Sequence, residues 1–165
     1  MKVRDLVIQA LLGAILFAVQ VALSPLPNIE LVSILCLVYT LTFGVRALGA
    51  IYVFVLLEGL LYGFGLWWIM YLYVWAILWG IAMLLRRYDS WFLWSFVLGF
   101  YGLAFGALCT IPYFFVGGVG TAVAWWINGI PFDIVHCLGN FASGLVLYRP
   151  LILVMKKLAP LQRRA

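Results

Sequence analysis

Asp133, His136 and Asn140 interrupt an apolar run late in this 165-residue chain. Spacings of three and four place them on one face of a helix, over about two turns. A carboxylate, an imidazole and a carboxamide so arranged can hold a polar ligand open to one side of the helix. They can equally staple it to a neighbour. Trp125, Trp126 and Asn128 stand just before them, where indole rings can close over a bound ring by stacking. Two more acids lie in apolar surroundings. Glu30 follows Pro25-Leu26-Pro27-Asn28-Ile29 and suits a helix N-terminus, where a carboxylate is favoured; ligand contact is the other reading. Glu58 lies about a turn before the break at Tyr62-Gly63-Phe64-Gly65. A lone carboxylate at that depth needs either a hydrogen-bonding partner or a cavity.

Enzyme signatures are missing. The chain has no Gly-rich phosphate loop, no His-Glu-x-x-His, no nucleophile elbow and no carboxylate cluster for Mg²⁺. One His and one Asp with no placed nucleophile make a weak active site. Cys36, Cys109 and Cys137 sit far apart in apolar stretches and read as small buried hydrophobes. No catalytic residue, metal site or cofactor is therefore expected.

The elements that carry these residues are membrane helices. Hydrophobic residues make up 68% of the chain and charged residues 9%, where a soluble domain has roughly a quarter charged. Mean hydropathy is +1.19. Lipid must be the solvent for most of this surface. The expected fold is all-α: one polytopic domain over 1–165, a bundle of six transmembrane helices. The candidate spans are 6–23, 30–48, 49–62, 66–85, 91–116 and 131–153, the last starting on Pro131 as a first helical residue. Residues 121–128 form a short aromatic segment before it. The first run is read as a retained helix, because Ser24-Pro25-Leu26-Pro27 is no signal-peptidase site.

With six spans, all ten Lys and Arg residues fall on one side: Lys2, Arg4, Arg46, Arg86, Arg87, Arg149, Lys156, Lys157, Arg163 and Arg164. The positive-inside rule puts both termini in the cytoplasm of a bacterial plasma membrane. The net charge of +5 is no nucleic-acid signal, since these residues are scattered over helix ends. The other side carries no Lys or Arg and is rich in Trp, Tyr, Gly and Asn. On the first helix Ala10, Ala14, Ala18 and Ala22 recur every four residues. Such a face allows close helix approach, within the bundle or to a second membrane protein.

These residues resemble the S components of energy-coupling factor (ECF) transporters, the small membrane subunits that capture vitamins. The Ala10-x-x-x-Ala14 and Ala14-x-x-x-Ala18 steps resemble that family's docking motif. The stretch 128–141 (NGIPFDIVHCLGNF), followed by Leu147-Tyr148-Arg149-Pro150-Leu151, looks like its last helix. The resemblance implies capture of a vitamin-like molecule from outside, with a transmembrane coupling subunit and two cytoplasmic ATPases driving release inside. It implies a pocket built from Asn28, Trp67, Trp68, Tyr71, Trp75, Tyr113, Trp125, Trp126, Asn128, Asp133, His136 and Asn140, to which Glu58 is added on its depth alone. Ala10, Ala14 and Ala18 would dock the coupling subunit.

Aromatic residues and acids, without Lys or Arg, favour a neutral or cationic heterocycle: a thiamine precursor, a pyridoxal-type vitamer, a queuosine precursor or cobalamin. Two other classes are open, a membrane enzyme using Asp133 and His136 and an assembly subunit that binds no ligand. The orientation is testable in a variant lacking Cys36, Cys109 and Cys137. A cysteine at Ser90 is expected to react with an impermeant maleimide only in opened cells, and one at Ser24 in intact cells. Labelling of S90C from outside would break the assignment.

Overall fold

The computed structural model describes residues 3–163. Lys2 and Arg164 lie outside the described residues, and of 158–163 only the helical backbone is described. The elements are α1 (Val3–Leu23), α2 (Val32–Phe43), a 3-10 turn (Gly44–Arg46), α3 (Ala47–Tyr62), α4 (Leu66–Leu85), α5 (Trp91–Cys109) and α6 (Ile111–Arg163). No strand occurs among the described residues. Five helical segments are long and apolar enough to cross a membrane: Val3–Leu23, Val32–Tyr62, Leu66–Leu85, Trp91–Cys109 and Ile111–Lys157.

The breaks have local causes. The Pro-rich stretch 25–28 ends α1, and Asn28 adopts a positive φ of 58° that Asn tolerates better than most residues. Gly63 ends α3 with φ 87°. Gly44, at φ 61° and ψ −128°, ends α2 and starts the 3-10 turn. The expected boundary at 48–49 therefore lies a turn earlier. The second apolar segment is interrupted, and its two helices have 12 and 16 residues.

The largest difference from expectation is α6. Pro131 is an interior residue, and the aromatic segment 121–128 belongs to the same helix. The one non-helical residue inside it is Gly118, at φ 74° and ψ −174°. There the chain folds back, because Tyr113 and Trp125 stack with centroids 4.8 Å apart. Pro131 removes one backbone hydrogen bond, a loss that membrane helices tolerate when neighbours support them. From Val119 to Lys157 the helix runs about 58 Å at 1.5 Å per residue, nearly twice the hydrocarbon thickness of ~30 Å.

The hydrophobic effect gives helices in lipid no reason to associate, so packing and hydrogen bonds must do so. Tyrosine and tryptophan provide the bonds by donating to backbone carbonyls of other helices. Trp68 Nε1 donates to Val55 O at 2.8 Å, Tyr73 Oη to Leu108 O at 2.8 Å and Tyr101 Oη to Val74 O at 2.9 Å. Trp79 Nε1 donates to Gly44 O at 3.1 Å. Thus α2 ends beside the C-terminal part of α4, and α3 approaches its N-terminal end.

The most extensive pairing is α5 with α6, followed by α1 with α3. Gly99, Gly102 and Gly106 form a small-residue stripe on α5, spaced three and four. A Cβ on Gly102 would stand 2.8 Å from His136 O and 3.0 Å from Cys137 N. One on Gly106 would strike the Asp133 carboxylate. On α1 the buried face is Asp5, Gln9, Leu12, Gly13 and Leu16. Ala10, Ala14, Ala18 and Ala22 are all exposed, so the alanine ladder lies outside the bundle's own packing.

Because backbone on α6 cannot yield as a flexible side chain can, Gly102→Val should lower stability by about 1–3 kcal/mol. Gly80, with open space around its Cβ position, is the control. Gly80→Ala should change stability by no more than about 1 kcal/mol, in the stabilising direction. Thermal unfolding in detergent reads both, and equal effects would contradict this account of the α5–α6 contact.

Candidate ligand-binding site

The loop between α1 and α2 supplies one side of a cavity of about 210 Å³, through Ser24 to Glu30 with Gln20 beside them. The opposite wall is Tyr71 and Trp75 from α4, Phe105 from α5 and His136 from α6. Tyr71 and Trp75 are one turn apart and pack edge to face at 5.5 Å. Phe105 meets Trp75 at 5.7 Å and His136 at 4.9 Å. Four elements thus converge on an aromatic wall facing a polar loop.

The polar side is tightly organised. His136 Nε2 lies 3.1 Å from Glu30 Oε1, and both residues are buried. A carboxylate only accepts, so Nε2 carries the proton and donates. The second Glu30 oxygen accepts from the Ser33 backbone N–H at 2.8 Å, in the first turn of α2. Ser33 Oγ in turn accepts from Asn140 Nδ2 at 3.2 Å. Two bonds therefore join the start of α2 to successive turns of α6. Asp133, one turn before His136, accepts from the Gly106 backbone N–H through Oδ1 at 3.0 Å. The face 133/136/140 is turned into the bundle, bonded to α2 on one side and α5 on the other.

These bonds leave capacity unused. Among the described residues, five buried side-chain atoms have no hydrogen-bond partner: Glu58 Oε1, Trp75 Nε1, Asp133 Oδ2, His136 Nδ1 and Asn140 Oδ1. Unpaired buried polar atoms are costly and few in a folded chain. Here they belong to residues that line the cavity or stand within a turn or two of its wall.

The residues singled out by sequence separate into three groups. Asn28, Tyr71, Trp75 and His136 line the cavity. Glu58, Asp133 and Asn140 are buried nearby, with 3%, 6% and 0% exposure. The remaining candidates lie elsewhere. Trp67 packs edge-on to Tyr71, and Trp68 is committed to Val55 O and to the Phe64 ring. Tyr113 and Trp125 stack on each other, and Trp126 and Asn128 are exposed. Gln20 and Phe105 line the cavity without having been singled out. For Phe105 a signal existed: Tyr101 and Phe105 repeat at four on α5 as Tyr71 and Trp75 do on α4. Among the described residues, no three His, Cys, Asp or Glu side chains gather as metal ligands.

Comparison with protein-family models, curated proteins and solved structures finds no match for this chain.

Removing one partner of a buried pair strands the other, so His136→Ala should destabilise by about 3–5 kcal/mol. The double variant Glu30→Gln/His136→Ala should lose less than the sum of its singles, with a coupling of about 1–3 kcal/mol in unfolding measurements. Additive losses would mean that the bond contributes nothing to holding α2 against α6.

Proposed function

We propose that this chain is the substrate-capturing S component of an ECF-type transporter. The observation that carries the reading is the cavity: a small aromatic-walled space under a Pro-rich loop, bordered by buried polar atoms still lacking partners. An assembly subunit has no use for such atoms. An enzyme would need a nucleophile or metal beside His136, where the neighbours are Glu30 and the Phe105 ring.

In this reading the chain crosses the membrane six times, with both ends in the cytoplasm. Support comes from the reversal between α2 and α3: Gly44 lies against Trp79, whereas Val55 lies against Trp68 at the other end of α4. The cavity then opens to the outside, away from Arg46, Arg86, Arg87 and Arg149. The exposed alanines of α1 form the surface for the transmembrane coupling subunit, which brings two cytoplasmic ATPases. A volume of about 210 Å³ lies below the common range of ~300–1,000 Å³ for ligand sites. It suits one small ring system better than the corrin macrocycle of cobalamin.

Affinity purification from the native membrane tests the reading. The wild-type chain is expected to bring down a coupling subunit and ATPases. Ala14→Leu should lose them while keeping its unfolding temperature, because Ala14 is exposed on α1. Recovery of the chain alone under conditions that preserve membrane complexes would sink the proposal.

A further inference from the structure

The five acidic residues of the chain fall into two groups. Asp5 faces Arg46 at 4.0 Å, and Asp89 faces Lys156 at 3.8 Å, both at the end of the bundle where the basic residues collect. Glu30, Glu58 and Asp133 lie toward the opposite end, around the cavity. Among the described residues no Lys or Arg accompanies them there, and the one side chain able to form a cation is His136.

His136 balances one carboxylate at most, and its bond identifies which: Glu30. Glu58 and Asp133 remain. Both are more than nine-tenths buried, and each keeps one oxygen without a partner among the described residues. Glu58 follows Phe54 by four residues on α3, and the Phe54 ring packs on Tyr71 and Trp75, so the carboxylate stands behind that wall. Asp133 stands one turn from His136, against α5 at Gly106, next to the Phe105 side of the cavity. Two further acids, one on α3 and one on α6, thus stand behind the walls of the cavity without lining it. Charges act over several ångströms when little water screens them, so neither acid has to touch a ligand to select it.

Between these acids the walls are Tyr71, Trp75 and Phe105, whose ring faces attract cations. Burial disfavours the charged form of an unpaired carboxyl, so a cation is the occupant that would stabilise both as carboxylates, whereas an anion would oppose it. Among the described residues no three His, Cys, Asp or Glu side chains gather as they would around a transition-metal ion.

We propose that the cavity selects an organic cation, a protonated or quaternary nitrogen on a small ring system, held by the joint field of Glu58 and Asp133 against the aromatic wall. This rests on the capture reading and narrows its substrate to one charge class.

Calorimetric titration of the purified full-length chain with benzylammonium, benzyl alcohol and benzoate separates the possibilities, since the three share a ring and differ in charge. Benzylammonium is expected to bind at least about tenfold more tightly than benzyl alcohol, with benzoate weakest. Glu58→Gln and Asp133→Asn should each shrink that preference, chiefly by weakening benzylammonium binding. The wild-type ranking decides alone should either variant fail to fold. Equal affinity for cation and alcohol, or a preference for benzoate, would overturn the cation assignment and leave capture intact. Absence of binding by all three to folded protein would instead remove the cavity as a capture site.

Discussion

The hydrogen bond between His136 and Glu30 joins parts of the chain that hydrophobicity cannot bring together. In a bilayer the outer surface of a helix is as apolar as its inner one, and Leu60, Leu84 and Val146 are highly exposed. Burial alone then does not determine which face of α2 meets α6. A carboxylate and an imidazole do, because each is costly in hydrocarbon without the other. With Ser33 and Asn140 a turn further on, the pair fixes both the rotation of α2 and its depth against α6. The loop from Ser24 to Glu30 is held down by the same bond, and the cavity exists because that loop is held there.

The aromatic donors perform a related task for the other helices. Each bond from Trp68, Tyr73, Trp79 or Tyr101 ends on a backbone carbonyl, so it reads position along a helix and not the identity of a partner residue. The abundance of Trp and Tyr thus has two sources. Some of these rings position helices, and others, Tyr71 and Trp75 first among them, face the cavity. Composition cannot separate the two, which is why Trp67 and Trp68 looked like pocket residues and lie elsewhere.

What was legible in the sequence was local. The breaks at Pro25 and Pro27, at Gly63 and Gly65, and at Arg86 to Ser90 each contain their own cause. The shared face of Asp133, His136 and Asn140 followed from helical spacing. The partners of that face did not, since Glu30 and Ser33 are more than a hundred residues away and nothing near them announces the contact. Gly44 was missed because a glycine in an apolar run looks alike whether the helix ends or continues. Pro131 misled because its preference for a first turn is a local rule, and the long antiparallel contact with α5 overrides it. The close pairing of Gly99, Gly102 and Gly106 with residues 133–141 supports the helix just beyond that proline.

The unbroken course of α6 beyond Gly118 has a further consequence. One helix carries His136 at the cavity, Tyr148 bonded to Asp89, and Arg149 over the Trp91 ring. Each residue advances a helix by about 100°, so these groups are locked at fixed angles to one another. Loss or gain of one residue between 136 and 148 would turn one set away from its partners whenever the other was satisfied. Substitutions can drift along this segment, but its length cannot. The spacing between the His136 contact and the Tyr148 and Arg149 contacts is therefore a fixed dimension of the molecule, set by counting residues and not by their identity.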